Sequence, residues 1–134
     1  GIESLAALQA AGDFTYRSGM IATEALLAAD PKPTAIFACN DDMAAAAIAA
    51  AHRHGLEVPR DVSICGFDDT AMATTIWPEL TTIHQPVAEM ARIGVRLLAE
   101  AIRADGGRVR VPRHEKLDFT LVSRDSDGPP PADD

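Results

Sequence analysis

Cysteine, aromatic residues and positive charge are all scarce in this chain, and each shortage removes a class of function. The two cysteines, Cys39 and Cys65, cannot build a disulfide framework or a four-thiolate zinc site. Both fall on apolar runs, which reads as small buried hydrophobes. Aromatics are 4% of 134 residues, so a core has to come from Ala, Val, Ile and Leu. Twelve basic residues against twenty acidic ones leave a formal net charge of −8. Duplex affinity comes mainly from cations that neutralise phosphates, so such a domain is a poor independent nucleic-acid binder. No apolar run approaches the roughly 18 residues of a membrane span, and no membrane partner is expected. The opening Gly1-Ile2-Glu3-Ser4 has neither a basic nor a long apolar region, so a signal peptide is not expected. Phosphate-cradling P-loops, Gly-x-Gly-x-x-Gly, His-Glu-x-x-His and Gly-x-Ser-x-Gly are all missing from the chain. No cofactor and no metal site is expected. His52 and His54 lie two apart on a helical stretch and do not share a face.

What remains is ordinary globular material: 47% hydrophobic and 24% charged, in one domain's length of chain. Residues 1–10 read as a leader or entry segment and 11–124 as the folded region. Residues 125–134 form an acidic, Pro-rich tail with no apolar anchor, expected to be mobile.

Within the folded region, helix-like and strand-like stretches alternate. Thr15 caps a helix over Tyr16 to Ala29, which Asp30-Pro31 ends. Thr34 to Cys39 is a short apolar run that suits a strand buried on both faces. Asn40 is placed as an N-cap, with Asp41 and Asp42 in the first turn of a helix over Met43 to His54 that Gly55 stops. From Ala44 to Ala51 that helix is nearly all alanine, so it is either buried or set against a partner subunit. Strands follow at Asp61 to Phe67 and at Thr81 to Gln85. Pro86 opens an amphipathic helix with Val87, Met90, Gly94, Leu97, Leu98 and Ala101 on one face. Asp105-Gly106-Gly107 ends it, and Val109 to Val111 and Leu117 to Val122 read as closing strands. The alternation predicts an α/β fold: a three-layer, mostly parallel sheet with helices on both faces.

Two stretches carry candidate chemistry, Asn40-Asp41-Asp42 and Gly66-Phe67-Asp68-Asp69. Each lies at the carboxyl end of a predicted parallel strand, the edge where open α/β sheets bind ligands. Their paired donors and acceptors suit a sugar, polyol or base edge. For Asp41 and Asp42 the plainer reading is helix capping and dipole compensation. Asp68 has no capping signature and is read as a ligand contact or a loop residue. An enzyme using Asp41, Asp42, Asp68 or Asp69 as metal ligands or acid–base groups is a further reading with little else to support it. Trp77, the single Trp, falls in a loop. It reads as a lid on its own domain or as an interface residue.

Ala35-Ile36-Phe37-Ala38-Cys39-Asn40-Asp41-Asp42-Met43-Ala44 resembles a strand–helix junction of the lactose/galactose-repressor (LacI/GalR) family of bacterial transcription regulators. The stretch from His54 to Asp69, Pro78 to Pro86, Leu121 to Ser126, and Gly12-Asp13-Phe14-Thr15 with Ser18-Gly19 are similar to further family segments, in family order over residues 11 to 126. The resemblance implies one subdomain, the carboxyl-terminal one, of a periplasmic-binding-protein-like (type I) fold. It does not extend to the family's helix-turn-helix, hinge helix or amino-terminal subdomain. It implies a sugar-like small-molecule effector, with Phe14 stacking on its ring and Asn40, Asp68 and Gln85 as polar contacts. It also implies a homodimer through Met43, Ala44, Ala47, Ile48, Ile76 and Trp77. Operator DNA is then a partner only through the missing amino-terminal head, the location is cytoplasmic, and no catalytic residue is required. The same fold also serves periplasmic sugar receptors of transporters, which is the alternative function.

Overall fold

In a computed structural model of the chain, which describes residues 8–103 and 113–130, eight elements follow in order. They are α1 (Tyr16–Leu27), β1 (Ala35–Phe37), α2 (Asp41–Arg53), β2 (Ser63–Asp68), α3 (Met72–Thr75), β3 (Thr81–His84), α4 (Val87–Arg103) and β4 (Thr120–Val122). The strands form one sheet in the order β1-β2-β3-β4. β1 runs parallel to β2, with Phe37 opposite Cys65, and β2 runs parallel to β3, with Asp68 opposite His84. The expected α/β fold with a mostly parallel sheet is therefore present. The expected strand at Val109 to Val111 and the Asp105-Gly106-Gly107 stop lie outside the described residues.

The chain divides into two compact units, residues 1–84 with 121–134, and residues 85–120. The core of the first unit is centred on α2, which packs on β2, α1 and α3. Ile36, Ile64, Val62 and Leu80 meet Ala44, Ala47, Ile48 and Ala51 there, with Leu27 and Val58 at its margins. The many alanines let the α1 and α2 backbones come close. A Cβ added at Gly19 in α1 would lie 2.6 Å from Met43 Cα, so that crossing needs the missing side chain. Within the second unit, α4 buries no residue, and Val87, Val95, Leu98 and Ile102 stand exposed.

Several expectations are corrected here. β1 is not buried on both faces. It alternates exposed, buried, exposed, and Phe37 is 61% exposed, because β1 is a three-residue edge strand with Ile36 alone turned to the core. Neither cysteine is fully buried, since Cys39 lies past the end of β1 and is exposed, and Cys65 is half-buried. In the alanine helix, Met43, Ala44, Ala47 and Ile48 face the chain's own core. All four are at most 9% exposed. A short helix, α3, occupies part of what reads as a loop before Trp77.

The tail is also anchored further than its composition suggests. Ser126 is fully buried. Its hydroxyl donates to Ile64 O at 2.6 Å and accepts from Thr81 N at 2.8 Å, while its carbonyl accepts from Ile64 N at 2.8 Å. Asp127 accepts from the Thr81 hydroxyl, and Gly128 N donates to Ser63 Oγ at 3.0 Å. Hydrogen bonds here do what an apolar anchor does elsewhere. Replacing Ser126 with Ala strands a buried carbonyl and a buried N–H, each costing on the order of 1–3 kcal/mol. A loss of stability of about 2–6 kcal/mol is expected for the two together, read as a fall in the urea midpoint at constant m-value.

Candidate functional site

β1 and β2 run side by side and end on the same edge, so their exit segments lie together. Asn40 leaves β1 and caps α2. Its Oδ1 accepts from Met43 N at 2.9 Å, satisfying one of the N–H groups that a helix start leaves unpaired. Its Nδ2 donates to Phe14 O at 2.9 Å. One amide thus joins the α2 start to the loop that carries Phe14. That loop is turned sharply, since Phe14 has φ 65° and its side chain is 63% exposed. Asp13 beside it accepts from Thr15 N and Thr15 Oγ1, and hydrogen bonds from Ser18 and Thr15 hold its carboxyl down at about 2. The turn before α1 is fixed, and an aromatic ring is left facing solvent.

β2 ends in a second unusual segment. Asp68 has φ 112° and Asp69 has φ 54°, both in the region that L-residues rarely adopt. Asp69 accepts from Arg124 Nη2 at 2.6 Å and pairs with His84 Nδ1 at 3.0 Å. Arg124 also donates from Nη1 to Leu80 O at 2.7 Å. The hydrogen bond from the Arg124 guanidinium, with its charge and the His84 contact, holds the Asp69 carboxyl below its ordinary value against the opposing effect of burial. Sequence reading did not find this group. Arg124 and Asp69 are 55 residues apart, and no local signal links them.

Asp41 is the other surprise. It stands in the first turn of α2 as expected, but its carboxylate is directed away from that helix. It is 1% exposed, and its carboxylate accepts from Thr70 N at 2.6 Å, Thr70 Oγ1 at 3.0 Å and Thr82 Oγ1 at 2.6 Å. It ties α2 to the loop after β2 and to β3. The close approach depends on Gly66, where an added Cβ would sit 2.6 Å from Asp41 Oδ1 and 2.8 Å from Leu80 Cδ2. Asp42 is exposed in the first turn of α2, as the dipole argument expects.

Of the sequence-derived contacts, Phe14 and Asn40 are joined directly, and Asp68 lies at the carboxyl end of the strand next to β1. Gln85 begins the second unit, and its carbonyl accepts from Val87 N at 2.8 Å. Of the expected partner-facing residues, Trp77 alone is largely exposed, at 73%, and Ile76 packs on the core. The Trp77 ring lies 6.0 Å from the His52 ring. Together with Gly55, Leu56 and Glu57 these rings line an open hollow of about 190 Å³ at the end of α2. Among the described residues there is no cluster of His, Cys, Asp and Glu able to hold a metal ion, and no helix long and apolar enough to cross a membrane.

The sequence profile of the periplasmic-binding-protein-like domain matches residues 2–126. The chain belongs to that family. Its relatives in the family are transcription regulators. Catabolite control protein A of Priestia megaterium is 42% identical over 104 residues, 75% of this chain and 31% of the relative. The transcriptional repressor PurR of Aliivibrio salmonicida is 42% identical over 110 residues, 82% of this chain and 31% of the relative. The complex of the transcriptional regulator CelR with cellobiose superposes at a TM-score of 0.79 and 36% identity, covering 86% of this chain and 34% of that one. A LacI family transcriptional regulator from Enterococcus faecium with bound ribose gives 0.73 at 29% identity, over 90% and 42%. The chain spans about a third of the length of the curated relatives it matches. The resemblance to LacI-type regulators read from the sequence is thus shared by its solved neighbours.

The Asp69–Arg124 pair gives this periplasmic-binding-protein-like unit an acid limit. A carboxyl depressed below its ordinary 3.8 adds stability that is present above the unfolded value and is lost as pH falls through the folded one. Asp13 and Asp61, both held at about 2, act in the same direction. The pair is therefore isolated by difference. Chemical denaturation of wild type and Asp69→Asn should show a gap that is constant near neutrality and closes as pH drops below about 4.

Proposed function

We propose that this chain is the effector-sensing and self-associating part of a LacI-type transcriptional repressor. The observation that carries the reading is the shared edge of β1 and β2. Asn40 at the end of β1 holds the backbone of the exposed Phe14, and Asp68, with its positive φ, stands at the end of the neighbouring β2. A flat apolar face with adjacent amide and carboxylate groups matches the two surfaces of a sugar, its C–H face and its hydroxyl rim. Two neighbours support the class of ligand, since one is a complex with cellobiose and another holds ribose. The relatives are regulators rather than enzymes, and the proposed action makes and breaks no bond. The effector binds one arrangement of the protein better than another and shifts the population toward it. Operator DNA is read by a separate head, because a chain of net charge −8 is a poor independent partner for phosphates. The protein works in the cytoplasm, where operators are.

The dimer surface we propose is the end of α2 with the Trp77 loop. The alanine-rich middle of α2 is spent on the core, whereas Trp77 is 73% exposed beside His52. Trp is the residue type most often found dominating an interface.

Two measurements test this. Thermal unfolding of the full reading frame that contains these residues, run against mono- and disaccharides, should give a rise in Tm with at least one sugar. Asp68→Asn should weaken that sugar about tenfold or more, the size of a lost charge-assisted hydrogen bond. No response to any sugar, with divalent-metal-dependent turnover in its place, would overturn the reading in favour of an enzyme. In sedimentation, Trp77→Ala should raise the dimer dissociation constant about tenfold or more. An unchanged constant removes this surface from the interface.

A further inference from the structure

Asp68 and Asp69 both hold positive φ, 112° and 54°. Two consecutive non-glycine residues keep such angles only where their surroundings over-determine them. The loop they begin is gripped at two adjacent residues. Ahead, Asp69 is fixed by Arg124 at 2.6 Å and His84 at 3.0 Å. Behind, Thr70 is held through its N–H at 2.6 Å and its hydroxyl at 3.0 Å by the Asp41 carboxylate.

The second grip is the unusual one. Asp41 is the first residue of α2, yet the cap of that helix is Asn40. The Asp41 carboxylate spends its acceptors on Thr70 and Thr82, both outside its own helix. At 1% exposure it cannot touch a ligand. Burying an acid in this way is costly, and Gly66 has no side chain where the carboxylate passes.

We propose that Asp41 is a positioning residue: by clamping Thr70 to the start of α2 it holds Asp68 in its left-handed conformation and so sets the direction in which the Asp68 carboxylate is offered. The effector consequence rests on the reading of Asp68 as a sugar contact. The clamp itself does not. Because the clamp begins at α2, whose start also holds the Phe14 loop through Asn40, both candidate contacts are referred to one rigid helix end.

The test is NMR on the labelled chain without ligand, comparing wild type with Asp41→Ala, Asp41→Asn, Asp41→Ser and Thr70→Ala. A positive φ brings the amide hydrogen close to its own Hα, so wild type should show strong intraresidue amide–Hα effects at Asp68 and Asp69. In Asp41→Ala these should weaken, and the Thr70 amide should exchange about tenfold faster relative to Ala47 in the core. Asp41→Asn, whose amide oxygen still accepts from Thr70 N, should restore most of both. A generally loosened core would move Ala47 as well and would not separate Asn from Ala. A folded Asp41→Ala with unchanged effects and exchange at the loop overturns the proposal. If Asp41→Ala does not fold, Asp41→Ser decides, since its short hydroxyl cannot reach Thr70 N and loop effects unchanged in that variant overturn the proposal equally; Thr70→Ala, which keeps the N–H bond to Asp41, should weaken them only in part. A second arm titrates ribose and cellobiose into the full reading frame. Wherever wild type binds, Asp41→Ala should bind about tenfold more weakly, with rescue by Asn. If wild type binds neither sugar while the loop responds to Asp41, the clamp stands and the assignment of the ligand class fails.

Discussion

The Asp41 carboxylate is shut away from water, and among the described residues no salt bridge includes it. It is tolerated because each contact is a donor: one backbone N–H and two threonine hydroxyls. A buried carboxyl group left without hydrogen-bond partners is among the costlier things a fold can contain, and these three bonds offset that cost. Much of the first unit is arranged around this need. Gly66 is bare where the carboxylate passes, Thr82 turns its hydroxyl inward from β3, and the loop after β2 curls back so that Thr70 can reach. The helix start, the strand end and the loop are thereby one object. A displacement of any of them costs the others a hydrogen bond in a low-dielectric place, where an unsatisfied group is expensive.

How much of this is legible in the sequence depends on whether the cause is local. The capping of α2 by Asn40, the arrest at Gly55 and the helix after Pro86 are set by neighbours a few residues away, and the chain adopts all three. Asp41 reads as a helix-start acid because its true partners, Thr70 and Thr82, are 29 and 41 positions along the chain. Arg124 is invisible for the same reason. The alanine-rich helix is a different case, since its burial is one of the two alternatives that its composition leaves open. Small apolar residues state that something lies close, not what. The answer is Gly19 and Met43 of the same chain, crossing at backbone distance. Ser126 shows a second kind of failure. Composition counts apolar anchors, whereas this segment is held by a hydroxyl placed between Ile64 and Thr81.

The candidate site divides along the same line. Phe14, Asn40 and Asp68 are found from strand-end position and residue type, and the structure joins the first two with one hydrogen bond. What orients them is nonlocal. Phe14 and Asp68 both hold left-handed backbone angles, and neither is glycine. Such angles are stored strain that the surrounding contacts must sustain. On the proposed function this is the useful property. A loop held against its own preference keeps its direction only while those contacts last, so the contacts and not the loop's own propensity decide how Asp68 is presented.

The acidity of the unit fits that division of labour. A net charge of −8 would repel a phosphate backbone at close range, and screening ends such repulsion beyond about 10 Å at moderate salt. A sensing unit with this charge, held more than a screening length from the operator, neither competes with the reading head for DNA nor weakens it. On the proposed function, binding of effector is reported by changed geometry between parts, not by charge. The rigid link from Phe14 through Asn40 to α2 bears on that report because the same helix, at its far end, carries His52 against Trp77. The candidate ligand contacts and the proposed partner surface are the two ends of one thirteen-residue helix. A helix buried along nearly its whole length cannot bend to absorb a displacement. On the proposed function, a displacement imposed at Asn40 is carried along this packed helix toward His52.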